Sequence, residues 1–275
     1  MTMLSRHLVK YILTAAVRDR LVMTLALMIL VAAAVSVFMG SASVTEQDSF
    51  ALVFGAGGLR FLGMTGLVLF CCFYIRRSFE NKEVEFLLSR PISRLSFLFS
   101  HAAAFSILSF FIALAVALAV AAIARPDAAG LAVWGASLAV EFAMMSVAAL
   151  FFSMVLSSAA GSALAVLGFY ALARMMGTLL GIISLPPANW AFSILGSLME
   201  LISIFIPRLD MITQTTWLVY GVEGSGGIKF MRDGGDYSYR IMEHLGLTGF
   251  IGVQGVIFVA LLLAAASYDF MRRQF

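Results

Sequence analysis

The stretch LSFLFSHAAAFSILSFFIALAVALAVAAIA, residues 95–124, runs for thirty residues without an aspartate, glutamate, lysine or arginine. About 20 apolar residues in a helix cross the ~30 Å hydrocarbon core of a bilayer. This stretch therefore reads as a membrane span. Working outward from it, similar runs recur at about 21–40, 59–75, 131–156, 161–183 and 247–267, which makes six. Helices satisfy their backbone groups internally, as lipid requires, and the alternating pattern of barrel strands is nowhere visible. The whole composition agrees: 275 residues, 62% hydrophobic and 12% charged, with a mean hydropathy of +1.00. A soluble domain carries roughly a quarter of its residues charged. The expected fold is an all-α polytopic membrane protein, a single transmembrane domain over residues 1–275, with the lipid bilayer as its surroundings. Apolar runs continue into the C-terminal third, which excludes a cleaved leader followed by a soluble domain.

Basic residues give the orientation. With the N-terminus inside, the inner segments hold Arg6, Lys10, Arg18, Arg20, Arg76, Arg77, Lys82, Arg90, Arg94, Arg272 and Arg273. The outer segments hold only Arg60, Arg125, Arg208, Lys229, Arg232 and Arg240, spread over more chain. The positive-inside bias then places both termini in the cytoplasm. The net charge of +3 is accounted for by this asymmetry and calls for no nucleic-acid partner.

The connections differ in kind. Residues 1–20 place Leu4, Leu8, Tyr11, Ile12 and Ala15 on one helical face, with Arg6 and Lys10 opposite, as in a helix lying in the inner interface. Residues 41–58 read as an outer loop ending in Gly55, Gly57 and Gly58, and 125–130 as a tight turn. Residues 184–246 form a long outer connection. Within it, 188–206 is apolar but carries Asn189 and Glu200 between Pro186, Pro187 and Pro207, which predicts a re-entrant or interfacial helix rather than a seventh span. The Gly-rich stretch 221–240 reads as exposed outer loop.

The inner loop at 76–94 is the richest in charge. Ser78 is placed to cap a short helix, with Glu80 and Glu83 in its first turns. Val84, Leu87 and Leu88 share a face, Pro91 stops the helix, and Ser93 is placed to cap the following span. Topogenic bias explains the arginines but does not call for Glu80, Glu83 and Glu85. A mixed-charge helix with an apolar edge suits protein docking, where apolar anchors bind and charges set register.

The run Glu85-Phe86-Leu87-Leu88-Ser89-Arg90-Pro91-Ile92-Ser93-Arg94 resembles the E-x-L-L-S-x-P-I-S-R segment that follows the second of six spans in type-2 ABC exporter permeases. The branch it most resembles is that of the permeases linked with multi-copper enzyme maturation. The layout is similar too: an N-terminal elbow helix, six spans and an outer re-entrant segment. Ser100-His101 departs from the Gly-Lys often found there. The resemblance implies that Glu80, Glu83, Glu85, Phe86, Leu87, Leu88, Arg90, Pro91 and Arg94 form a coupling helix seated in a groove of a separate ATP-binding-cassette ATPase. It further implies a pair of permease chains in a bacterial inner membrane, with ATP and Mg held by the ATPase. This chain contains no Gly-x-x-x-x-Gly-Lys-Ser/Thr loop, so no cofactor and no catalysis are expected in it.

Two charges fall deep inside spans, Glu141 and Arg174. Counted from the turn near residues 157–161, their depths agree within about one helical turn, which predicts that they pair. The pair reads either as a clamp between two helices or as part of a substrate path. The adjacent Cys71 and Cys72 read as small membrane-facing hydrophobes, and Tyr170 as packing or lipid-facing surface. His7, His101 and His244 lie in separate regions and give no shared metal site. Besides the exporter subunit, two other functions fit this pattern: a stand-alone secondary carrier using Glu141 and Arg174, and a non-transporting scaffold that recruits a cytosolic partner.

Overall fold

The computed structural model describes residues 4–42, 47–88, 93–183, 190–221 and 237–272, and all regular structure among them is helical. In chain order the helices are α1 (Arg6–Arg18), α2 (Arg20–Ser41), α3 (Gln47–Glu80), α4 (Glu83–Leu88), α5 (Arg94–Ala124) and α6 (Ala128–Val155). They continue as α7 (Ala159–Ile183), α8 (Trp190–Phe205), α9 (Leu209–Thr213), α10 (Thr216–Val219) and α11 (Tyr237–Arg272). Six are long and apolar enough to cross a membrane: α2, α3, α5, α6, α7 and the His244–Arg272 part of α11. The six spans read from hydropathy are these six helices. The structure itself holds no membrane, and α8, at 16 residues, is shorter than a full crossing.

Helix α6 is the hub. It packs against α3, α5, α7 and α11, and Trp134, Phe142, Met144 and Met145 on it are fully enclosed. Around it, α2 and α3 form a close hairpin. A Cβ at Gly40 would stand 2.6 Å from the Ala51 Cβ and 2.7 Å from the Gln47 carbonyl oxygen, so only glycine lets the two helices meet there. On α11, Gly246 has φ 71 and ψ 165, a conformation open to glycine, and the helix kinks at that point.

Polar contacts sort the helix ends. Arg77 Nη2 lies 2.6 Å from Asp19 Oδ2, joining the C-terminal end of α3 to the α1–α2 junction. Asp19 also caps α2 by accepting from the Leu21 N–H at 2.8 Å. Arg76 Nη1 donates to the Leu156 carbonyl at the α6–α7 turn, and Arg94 Nη1 to the Phe270 carbonyl near the end of α11. The backbone N–H of Ser5 donates to Ser100 Oγ on α5. The α1–α2 junction, α4 and the end of α11 therefore share one end of the bundle. At the other end, α5 closes on Arg125 with φ 47 and ψ 55, and the Asp127 carboxylate caps α6 by accepting from the Gly130 N–H. The start of α1 and the end of α11 thus both lie beside the N-terminal part of α5.

Several local expectations are corrected. Residues 47–58, read as outer loop, are the first three turns of α3, because Ala51, Leu52, Gly55 and Ala56 bury against neighbouring helices. Helix α3 continues to Glu80, so Ser78 lies inside it and caps nothing; its hydroxyl donates to Glu83 Oε2 at 3.1 Å. Cys71 and Cys72 face the protein interior, not lipid, since both are fully buried. In α1, Leu8, Ile12 and Ala16 pack on protein while Leu4 and Tyr11 stay exposed, so the buried stripe is centred on Ile12. Tyr237–Arg240, read as loop, is helical. The Ser93 cap, which accepts from the Ser96 N–H, is as expected; of the 125–130 turn, only 125–127 lie between helices, and residues 128–130 open α6.

Candidate functional site

The expected intramembrane pair is present but is not the main one. Glu141, 0% exposed near the middle of α6, forms a buried ion pair through Oε2 with Arg60 of α3. Its other oxygen, Oε1, accepts from the Tyr170 hydroxyl at 2.8 Å and from Arg174 Nη1 at 3.4 Å, both on α7. Arg174 Nη1 also donates to Tyr170 Oη at 3.1 Å, and its guanidinium stands over the Tyr170 ring. A single carboxylate therefore ties α3, α6 and α7 together.

Arg60 is the residue that sequence reading misplaced. Counted from the sequence it falls among the outer segments, whereas it lies near the middle of α3 and is 2% exposed. The error follows from starting that span at residue 59 instead of 47. A charge at a span boundary looks like a topogenic signal, and a charge a dozen residues further in does not. Tyr170, expected as packing or lipid-facing surface, is likewise in the cluster; its i, i+4 spacing to Arg174 on α7 is the signal for it in the sequence.

The long outer connection supplies the rest of the cluster. After α8, residues 207–212 and 214–216 are buried, and α9 packs against α6, α7 and α11. The Thr215 and Ser137 hydroxyls share a 2.8 Å hydrogen bond, and Arg60 Nη1 donates to Thr216 Oγ1 at 3.2 Å. A Cβ at Gly130 would meet the Leu218 carbonyl oxygen at 2.7 Å, so α10 lies backbone-close on α6. Arg208 and Asp210 neutralise one another through two hydrogen bonds, 3.0 and 2.9 Å, inside the same segment. The part of this connection buried within the bundle is thus Pro207–Val219, which follows the 188–206 stretch singled out from hydropathy. Helix α8 instead exposes Trp190, Ile194, Leu198 and Phe205.

At the other end of the bundle, α4 is joined to α3 by the two-residue turn Asn81-Lys82, with Lys82 at φ 57. Val84 is buried against the bundle, Glu80 is exposed, and Phe86 is 60% exposed. The backbone of Glu85, Leu87 and Leu88 is helical. Arg90 and Pro91, and with them the predicted helix stop, lie outside the described residues. Arg94 Nη1 donates to the Phe270 and Met271 carbonyls near the C-terminal end of α11. Helix α4 and the charge cluster are thus separate, and α3 carries Arg60 in the cluster and ends next to α4.

Compared with known proteins, the chain matches no protein-family model and no curated protein.

Proposed function

We propose that the chain is the membrane-spanning subunit of an ATP-driven exporter, moving its cargo across a bacterial inner membrane with both termini in the cytoplasm. In this reading α4 docks on a separate ATP-binding-cassette ATPase, which holds ATP and Mg. A second copy or a related permease chain completes the transporter, and this chain itself performs no catalysis.

One observation supports the reading: a single helix, α3, joins α4 to the buried charge cluster. Helix α3 is 34 residues long, about 50 Å at ~1.5 Å per residue. Its C-terminal end carries Arg76 and Arg77 and leads directly into α4; its middle carries Arg60. A push on α4 is therefore delivered to Arg60, and through it to Glu141 and Thr216. The buried segment Pro207–Val219 is held through Thr216 by that same side chain. Displacing α3 would strain the Arg60–Glu141 and Arg60–Thr216 contacts together, which makes the inserted segment the natural gate.

Co-expression with a candidate ATPase tests this. The full chain carries the ATPase through purification, and Leu88→Asp or Glu85→Lys abolishes co-purification while leaving the permease folded. The buried charges also suit a secondary carrier that couples to an ion gradient. Gradient-driven transport in proteoliposomes without any ATPase would establish that second reading and sink the first.

A further inference from the structure

Helix α1 has 13 residues, about 20 Å of helix, which is too short to cross a bilayer. It is pinned at both ends to the ends of spans. Just before it, the Ser5 N–H donates to Ser100 Oγ in the second turn of α5. Just after it, Asp19 pairs with Arg77 in the last turn of α3. Asp19 is extended, with φ -74 and ψ 131, so the helix breaks there before α2 begins. Helix α1 therefore lies across one end of the bundle, at the level where a crossing helix such as α2 meets the bilayer surface.

The two sides of α1 differ in chemistry. Leu8, Ile12 and Ala16 are buried and face the bundle. On the opposite side Arg6, Lys10, Leu13 and Val17 follow at i, i+4, i+7 and i+11, which puts them on one stripe. Arg6, Lys10, Arg18 and Arg20 are exposed, as are Tyr11 and Val17, the last at 70%. A groove of about 470 Å³ is lined by Val9, Leu13 and Val17 together with Arg6, Lys10 and Arg18. Residues 1–18 contain no aspartate or glutamate, and the Asp19 carboxylate is engaged by Arg77 and by the Leu21 N–H. Charge of one sign thus stands beside apolar side chains on a fixed outer face. Topogenic bias requires basic residues on this side of the membrane, but not that they share a stripe with Leu13 and Val17.

We propose that the outer face of α1 binds anionic phospholipids of the bilayer. Arg6, Lys10, Arg18 and Arg20 hold the phosphate groups, and Leu13 and Val17 rest on the upper part of the acyl chains. Charge complementarity selects this occupant: the positive charge lies where lipid phosphates lie, and the apolar members of the stripe find acyl chains beside them. Guanidinium groups pair with phosphate at two points, and each Lys or Arg near an anionic surface strengthens binding about fivefold. The surface requires neither cargo nor an ATPase, so it stands or falls apart from the exporter reading.

The test follows thermal unfolding of the purified full chain in dodecyl maltoside as dioleoylphosphatidylglycerol, dioleoylphosphatidylcholine, glycerol 3-phosphate or oligoglutamate is added. Phosphatidylglycerol raises the Tm of the wild type, and Arg6→Gln with Lys10→Gln needs at least tenfold more of it for the same rise. Arg18→Gln with Arg20→Gln carries the same expectation and covers a failure of the first pair to fold. Arg125→Gln, at the far end of the bundle, responds as the wild type does. On the wild type alone, raising salt from about 0.05 M to about 0.5 M increases the phosphatidylglycerol needed. An unchanged response in the paired variants, an equal loss in Arg125→Gln, or no effect of salt overturns the site. Equal protection by phosphatidylcholine removes the role of charge, and equal protection by glycerol 3-phosphate makes the ligand a soluble anion; either overturns the proposal. Protection by oligoglutamate where phosphatidylglycerol gives none overturns it too, in favour of an acidic protein partner.

Discussion

Arg60 and Glu141, 81 residues apart in sequence, meet inside the bundle as a buried ion pair joining α3 to α6. Glu141 also meets Arg174, but more distantly, and the phenol of Tyr170 lies between the two contacts. The order of these partners has consequences for stability.

Removing one member of a buried pair leaves the other uncompensated, at a cost of about 3–5 kcal/mol. Arg60→Ala and Glu141→Ala should therefore lower the Tm far more than Arg174→Ala. Charge reversal separates the partners further. Glu141→Arg combined with Arg60→Glu should recover stability that either single change loses, and Glu141→Arg combined with Arg174→Glu should recover much less. Equal rescue by both swaps would contradict the geometry.

Gly130 is where α10 touches α6. Alanine there meets backbone, which cannot swing aside as a side chain would, and such overpacking costs about 1–3 kcal/mol. Gly130→Ala should push Leu218 away and loosen the Thr216–Arg60 bond, seen as faster labelling of a cysteine placed at Thr215. Gly57→Ala, where a Cβ meets nothing within 4 Å, is the matched control and should be silent.

Gly246 holds a backbone conformation that side chains with a Cβ adopt at a cost of about 1–3 kcal/mol. Gly246→Ala should lower the Tm, although no neighbouring atom lies within 4 Å of the added methyl. Gly252→Ala, inside regular helix and equally open, should hold or raise it.

Asp19 gives the fold a pH dependence at the α1–α2 junction. Partial burial pushes its carboxyl up, but the hydrogen bond from Arg77, that from the Leu21 N–H and the nearby positive charge outweigh it, leaving the pKa below the usual 3.8. A carboxylate lowered on folding stabilises above its unfolded pKa, and that contribution fades as pH falls through the lower folded value. The wild type should therefore lose Tm below about pH 4, and Asp19→Asn should start lower and lose less over the same range. Because Arg77 is largely exposed, the effect should shrink with added salt.

On α4, Phe86 should act as the apolar anchor for the proposed ATPase. Phe86→Ala should weaken ATPase capture tenfold or more and lower the permease Tm less than a change at Val84 does. Val84→Asp, buried at the α3–α4 corner, should lower both. A Phe86 variant that captures the ATPase like wild type would move the contact elsewhere on the inner surface.

The positions of the six spans were legible because hydropathy is local and additive: each run announces itself whatever its neighbours do. A turn within 125–130 and the Ser93 cap were legible for the same reason, each depending on side chains within a few residues. The faces of the helices were not. Lipid is as apolar as a protein core, so a span that is hydrophobic all round carries little sign of which side meets protein. Cys71 and Cys72 were misjudged on that account, and Leu8, Ile12 and Ala16 emerged as the buried stripe of α1 only from packing.

By itself, then, the sequence determined an all-helical chain with six helices fit to cross a bilayer and two charges set deep among them. Counting residues from a turn gives depth along a helix, and depth brought Glu141 and Arg174 together correctly. Only the tertiary structure decided that Arg60 is the nearer partner, that Tyr170 links the two, and that Pro207–Val219 drops in beside them. Those contacts depend on the rotation of each helix about its own axis and on where α3 begins. Both are settled by close packing between elements distant in sequence, which no local window contains.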